Sequence, residues 1–412
     1  MCFNFGAKTA GAYPLDAHER TGIERLQGYY FALHTPRGKQ NIVPGARLKS
    51  SEITLGLLGK TFYLPAKPDV NYSTRIKNML GKNASRYGIA VLDITNPQDI
   101  LFAAHNENAI FTPGSVGKIV VALAVMQKLA DIYPNDIAMR ERILRETKIV
   151  ADDFILSDTH DVPFWNLEEG RLSFRPLAVG DSANLWSYLD YMLSASSNAA
   201  GSTVMKQLIL LSHYGRSYPP SLEEERRFFA TTKKNALGDM LRRTLDEAVK
   251  RNGLSTGALA QGSMFTRQGR NKVPNVGSRA SARELVKFLL LLEQGKLVDE
   301  FSSAELKRLL YMTQKRIRYA ASPYLENAAI YFKSGSLYSC RPEKGFICKK
   351  YGGNVENTLN SLAIIEYPAK DIRYHYLVAV NSNVLRESSV RLHKTLAAKI
   401  QKLIEMRHAM RE

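Results

Sequence analysis

Runs of consecutive apolar residues, separated by polar and turn-forming segments, set the pattern of this chain. Tyr87-Gly-Ile-Ala-Val-Leu-Asp-Ile94 reads as a buried strand. Asp99-Ile-Leu-Phe-Ala-Ala104 reads as its hairpin partner across a turn holding Asn96 and Pro97. Just before them, Ser73 is placed to cap a short helix running through Met79 and Leu80. Ile119 to Met126 is apolar at every position and follows the turn-like Thr112-Pro113-Gly114, which predicts a helix buried on all sides. A helical stretch with polar loops continues to about residue 325. Within it Ser281-Ala-Arg-Glu284 has capping-box spacing before an apolar run from Leu285 to Leu292, with Gly295 as the stop. Strand patterns return at Ala328–Tyr338, Leu359–Tyr367 and Tyr374–Asn381. Val390–Met406 then spaces Leu392, Leu396, Ile400, Leu403 and Ile404 along one side of a final helix.

Two strands before a helical block and three after it predict an α/β (α+β) fold. Its centre is a sheet of about five antiparallel strands, flanked by the terminal helices and joined to an all-helical lobe. The sheet lobe takes residues 72–111 and 326–412, and the helical lobe 112–325, with a cleft between them as the natural place for a site. Residues 1–71 mix Gly, Pro and Tyr with scattered apolar positions and read as an N-terminal arm or small accessory region.

Composition adds limits. The 412 residues are 45% apolar and 23% charged, ordinary for a globular protein. No apolar run approaches the roughly 18 residues of a membrane span. No charged segment followed by an apolar stretch marks a signal peptide at the start. A charge of +18 favours anionic partners or solubility alone, and the basic residues are too dispersed to mark a specific nucleic-acid site. Cys340 and Cys348 flank Pro342 and Gly345; either they close a loop by a disulfide or they are two unpaired thiols. Cys2 has no lipoprotein signal before it.

Three short motifs sit at the seams of this layout. Ser115-x-x-Lys118 opens the apolar helix, and i, i+3 spacing puts the amine on the hydroxyl's face. A serine hydroxyl needs such a base to act as a nucleophile. Ser196-Ser197-Asn198 follows the helical Leu185–Leu193, and Lys333-Ser334-Gly335 lies inside the first returning strand. Singly, each has a plain alternative: an N-cap with a solvated lysine, a helix end, an edge-strand charge. Their order and placement together point to one acylation centre.

With these motifs the chain resembles the penicillin-recognising serine enzymes, the class A β-lactamases and penicillin-binding D-Ala-D-Ala peptidases. The resemblance spans roughly residues 72 to 405. Ser197 stands where class A enzymes usually have Asp, and Ser334 where Thr is commoner. The resemblance implies a β-lactamase/transpeptidase-like fold and catalytic roles for Ser115, Lys118, Ser196 and Lys333. Ser115 would be acylated, Lys118 would take its proton, Ser196 would relay it to the leaving nitrogen, and Lys333 would attract a substrate carboxylate. Asn198, Ser334, Gly335 and Ser336 would bind substrate, with the backbone N–H groups of Ser115 and Ser336 as the oxyanion hole. No metal or cofactor is implied. The family also implies a periplasmic or extracellular setting, with a β-lactam or peptidoglycan peptide as partner and general attraction to an anionic envelope.

One departure changes the expected chemistry. Class A enzymes release the acyl group with a loop glutamate between the second and third motifs. Between Glu247 and Glu284 this chain has no Asp or Glu, and Glu284 reads as the capping partner of Ser281. The expectation is therefore an acyl-enzyme that empties slowly, unless Glu223–Glu225 or Asp239 folds inward. Asp152, Asp153, Asp158, His160 and Asp161 lack metal-ligand spacing and read as a polar loop. Arg341, after the third motif, is a candidate for carboxylate binding. The competing class is a non-catalytic protein of the same fold that binds cell-wall peptide or an anionic polymer.

Overall fold

Five strands form the central sheet of the computed structural model, which describes residues 14, 16–34, 43–156, 158–313 and 316–409. In chain order β1 is Tyr87–Asp93 and β2 Leu101–His105. Three short ribbons interrupt the helical region: β3 (Lys148–Val150) with β6 (Ser182–Asn184), β4 (Asp161–Asn166) with β5 (Arg171–Pro176), and β7 (Leu259–Ala260) with β8 (Arg279–Ala280). The chain then returns as β9 (Ala329–Ser339), β10 (Glu356–Tyr367) and β11 (Tyr374–Asn383), giving the sheet order β2-β1-β11-β10-β9. Every neighbouring pair is antiparallel, with Val91 opposite Val378 and Leu362 opposite Lys333.

The sheet is covered on both faces, so its strands read as unbroken apolar runs. Alternate side chains still part cleanly. Ala90, Leu92, Leu362, Ile364, Leu377 and Ala379 join the core shared with the helical lobe. Ile89, Val91, Ala363, Ile365, Val378 and Val380 join a second core against the helices Val70–Leu80 and Ser389–Ala409. The helix Lys118–Ile132 lies inside the first core, with every residue from Lys118 to Gln127 buried. Leu123 is fully enclosed there, and truncating it to Ala would cost about 2–5 kcal/mol. That packing fixes the start of this helix, and with it Lys118.

The N-terminal segment packs as part of the same body. Ala17, Ile23, Leu26, Tyr29, Leu48, Ile53 and Leu57 belong to the main core. Arg25 ion-pairs with Asp190 on the helix Leu185–Leu193, both fully buried. Glu293 accepts from the Gly56 N–H at 2.6 Å, and Lys307 donates to the Thr54 carbonyl at 2.6 Å. Residues 1–13 of the expected arm, Cys2 among them, lie outside the described residues.

Two local expectations are corrected. The helix Val70–Leu80 is capped by Asp69, which accepts from Tyr72 N at 2.8 Å, and Ser73 lies inside it, accepting from Ala104 N on β2. Ser281 does cap its helix, but Glu284 turns its carboxylate to the Ser255 N–H at 2.7 Å instead of back to Ser281. The lobe expected to be all-helical also carries the three small ribbons, formed where segments between its helices pair with one another.

Candidate active site

A single 3-10 turn, Gly114–Gly117, carries Ser115 into the buried helix at Lys118. The turn is pressed against β9. A Cβ on Gly335 would stand 2.4 Å from both Ser115 N and Pro113 O, so only glycine lets strand and turn approach this closely. Asn360 of β10 ties the turn down by donating to the Thr112 carbonyl at 2.8 Å.

The structure brings the three motifs together. Lys118 Nζ lies 3.1 Å from Ser115 Oγ, 2.6 Å from the Ser196 carbonyl and 2.8 Å from Asn198 Oδ1. Lys333 Nζ lies 2.8 Å from Ser196 Oγ and 2.9 Å from the Ser334 carbonyl. Ser196 reaches both lysines because its backbone is left-handed, at φ +62°. A serine held there carries local strain of the kind that clusters at functional sites. Ser197 caps the following helix, Asn198–Tyr214, accepting from Ala200 N at 3.0 Å.

Burial shifts the titration of Lys118. Its amine is fully buried, and loss of water lowers its pKa to about 7, with the charge of Asp158 opposing the shift. Burial, with Lys118 and Arg318 close by, holds Lys333 well below the ordinary lysine range. Three basic groups, Lys118, Lys333 and Arg318, therefore converge here.

Arg318 and Asp158 were missed as site residues from the sequence. Arg318 sits at φ +57° in a 3-10 turn before β9 and donates to Ser334 Oγ at 2.8 Å and Ser336 Oγ at 2.9 Å. Its guanidinium also faces the Tyr351 ring at 5.2 Å. Arg341, the arginine singled out from the sequence, instead lies exposed on the loop closed by the Cys340–Cys348 disulfide. Asp158 accepts from Ser197 Oγ and from the Ala199 N–H, on either side of Asn198.

The loop region between the second and third motifs covers the other side of Lys118. Phe265 places its ring centroid 4.7 Å from Lys118 Nζ and packs on Gly201. Gln261 reaches Gly117, and its buried Oε1 has no partner. Glu223, Glu225 and Asp239 turn elsewhere, to Arg227, Lys206 and Arg242. Among the described residues one group has metal-ligand spacing: Glu293, Glu366 and His375. Lys307 Nζ stands 2.6 Å from a carboxylate oxygen of each glutamate, so an ammonium already holds the cation's place. No described helix is long and apolar enough to cross a membrane.

Comparison with solved structures agrees with this fold. An acyl-enzyme complex of a PBP-A mutant with penicillin-G superposes with a TM-score of 0.52 at 14% identity, covering 84% of this chain and all of that one. The TLA-3 extended-spectrum beta-lactamase gives 0.54 at 15% identity, covering 81% of this chain and 98% of its own. A beta-lactamase from Chitinophaga pinensis gives 0.52 at 14%, covering 81% and 99%. At such identities the likeness establishes a shared β-lactamase/transpeptidase-like fold. No curated protein sequence matches the chain. The profile of the beta-lactamase enzyme family matches residues 71–212 and 232–399, most of the chain and all three motifs, and the chain belongs to that family.

Proposed function

We propose that this protein is a serine hydrolase that forms an acyl-enzyme on Ser115 with a β-lactam or a D-Ala-D-Ala-type amide. The observation that carries the reading is the position of Lys118 Nζ, fully buried and 3.1 Å from Ser115 Oγ. A neutral amine there accepts the hydroxyl proton as Oγ attacks the carbonyl carbon. The carbonyl oxygen gathers charge against the N–H groups of Ser115 and Ser336. The tetrahedral intermediate collapses as the C–N bond breaks; Ser196 Oγ passes its proton to the leaving nitrogen and takes one from Lys333, which bridges it as an ammonium once a substrate carboxylate is bound. Arg318 gives the site a positive end suited to the carboxylate that both substrate classes carry, and that carboxylate would in turn favour the ammonium form of buried Lys333.

Release of the acyl group is the slow step in this reading. Phe265 occupies the space beside Lys118, and no acidic residue lies between Glu247 and Glu284 to activate water. The disulfide supports action in an oxidising compartment, and we place the protein in the periplasmic or extracellular envelope on that ground.

Incubation with a labelled penicillin, followed by intact mass over time, tests the proposal. The expected result is a persistent adduct that Ser115→Ala abolishes. No adduct at any time overturns the penicillin-recognising reading and favours a non-catalytic binder of the same fold.

A further inference from the structure

We propose that Asp158 is a positioning residue for acyl transfer: from a loop outside the three motifs it clamps the Ser196–Asn198 turn and places a carboxylate behind the acceptors that hold Lys118. The inference rests on reading Ser115 and Lys118 as nucleophile and base.

Asp158 has a nearly inaccessible side chain, and both of its oxygens are used. Oδ2 accepts from Ser197 Oγ at 2.7 Å and from the Ala199 N–H at 2.9 Å. These donors flank Asn198, whose Oδ1 accepts from Lys118. Oδ1 of Asp158 lies 2.7 Å from Nδ1 of His160, a side chain 37% exposed. The clamp therefore holds the one turn that offers Lys118 two acceptors, the Ser196 carbonyl and Asn198 Oδ1. The strain at Ser196 (φ +62°) makes such a hold necessary, because a residue in this conformation persists only where its surroundings impose it.

The chemistry explains why the middle motif works without a carboxylate of its own. Ser197 supplies a hydroxyl as helix cap, and its proton is directed to Asp158. A negative charge at the start of the helix Asn198–Tyr214 also suits the helix dipole. That charge is felt at Lys118, where it opposes the effect of burial. His160 faces Asp158 from its own loop, and Lys333 faces Lys118 from β9. Lys206 is engaged by Asp152 and Glu225, and Lys272 by Asp153. Bonds from His160, Ala199 and Ser197 outweigh burial and keep Asp158 ionised far below neutral pH, so its charge is constant while Lys118 titrates.

A purely structural cap and a positioning residue differ in what they do to Lys118. The test uses the full chain labelled with 13C at the lysine ε-carbons, with Lys118→Ala to assign the signal, and follows the Lys118 midpoint by NMR. The variants are Asp158→Asn, Asp158→Ala, and Asp158→Ala combined with Ser197→Asp, which offers a carboxylate to the same helix start from within the turn. Asp158→Asn keeps an acceptor for Ser197 and Ala199 but removes the charge, and is expected to lower the Lys118 midpoint by about one pH unit. Asp158→Ala releases the turn and is expected to slow acylation by labelled penicillin about 100-fold, with Ser197→Asp recovering roughly tenfold or more of the loss. An unchanged Lys118 midpoint in Asp158→Asn overturns the proposal, as does wild-type acylation by Asp158→Ala. If Asp158→Ala fails to fold, Asp158→Asn and the double variant decide. A wild-type protein that forms no penicillin adduct refutes the substrate reading instead, and the NMR midpoint still decides the role of Asp158.

Discussion

Gly335 lies so close beneath Ser115 that a single added carbon would stand 2.4 Å from the Ser115 amide nitrogen. This contact sets the spacing between the turn that carries Ser115 and the strand that carries Lys333 and Ser336. Gly335→Ala must push the two apart by several tenths of an ångström or more. The sheet is anchored elsewhere by long ladders on β10 and β11, so the fold is expected to survive. Acylation of Ser115 by labelled penicillin is expected to fall about 100-fold, the effect of misplacing reacting groups by an ångström. Intact-mass kinetics beside a circular dichroism melt separate lost geometry from lost fold; near-normal acylation would refute the role given to this contact.

The titration of Lys118 links activity to stability. Its pKa is lowered from 10.5 to about 7 by burial, so the unfolded chain binds more protons than the folded one between these values. Stability is therefore expected to rise with pH across that window, and the penalty of burying the ammonium is complete below about pH 7. Acylation is expected to rise through the same midpoint as the free base forms. Lys118→Met should abolish acylation yet raise the denaturant midpoint at about pH 6, with a smaller gain at about pH 9. Urea titrations at both values check it, and destabilisation by Lys118→Met at the lower pH would contradict the assignment.

Arg318 is expected to select for carboxylate-bearing substrates. Its two terminal nitrogens bond Ser334 and Ser336, the residues that line the strand edge beside Ser115. A charge-assisted hydrogen bond contributes about 1.5–3 kcal/mol, which corresponds to roughly 10- to 100-fold in acylation by a free-acid penicillin. Arg318→Ala should cause that loss, while acylation by the corresponding methyl ester changes little. Equal losses for acid and ester would show that Arg318 only supports the strand.

The residues legible in the sequence were those whose role is local or periodic. The strands of the sheet declared themselves because both faces are buried, leaving runs such as Ala90–Leu92 and Leu377–Val380 uninterrupted. Ser115 and Lys118 were legible because one helical turn brings them together. Arg318 was not, since its approach depends on a left-handed turn that an arginine seldom adopts and no pattern announces. Asp158 was read as part of a polar loop because its partners, Ser197 and Ala199, lie 39 and 41 residues away along the chain. The N-terminal segment read as an arm because its apolar residues follow no clear period. In the fold they pack singly into the main core, helped by buried ion pairs such as Arg25 with Asp190.

Phe265 should govern how long the acyl group stays. Its ring stands 4.7 Å from Lys118 Nζ and packs against Gly201, and its loop carries no acid. Phe265→Ala opens room for water but supplies no group to deprotonate it, so the adduct is expected to remain long-lived. Phe265→Glu places a carboxylate beside Lys118, with two consequences of opposite sign. The negative charge favours the ammonium and raises the Lys118 pKa, which slows acylation near neutral pH. The same carboxylate can accept a proton from water attacking the acyl carbon, a contribution worth typically 100- to 10,000-fold in proton-transfer catalysis. The expected signature is slower formation and at least roughly 100-fold faster loss of the penicillin adduct in Phe265→Glu, measured by intact mass after removing excess penicillin. Rapid loss from the wild type, or from Phe265→Ala, would mean that water is activated by a group other than one at this position.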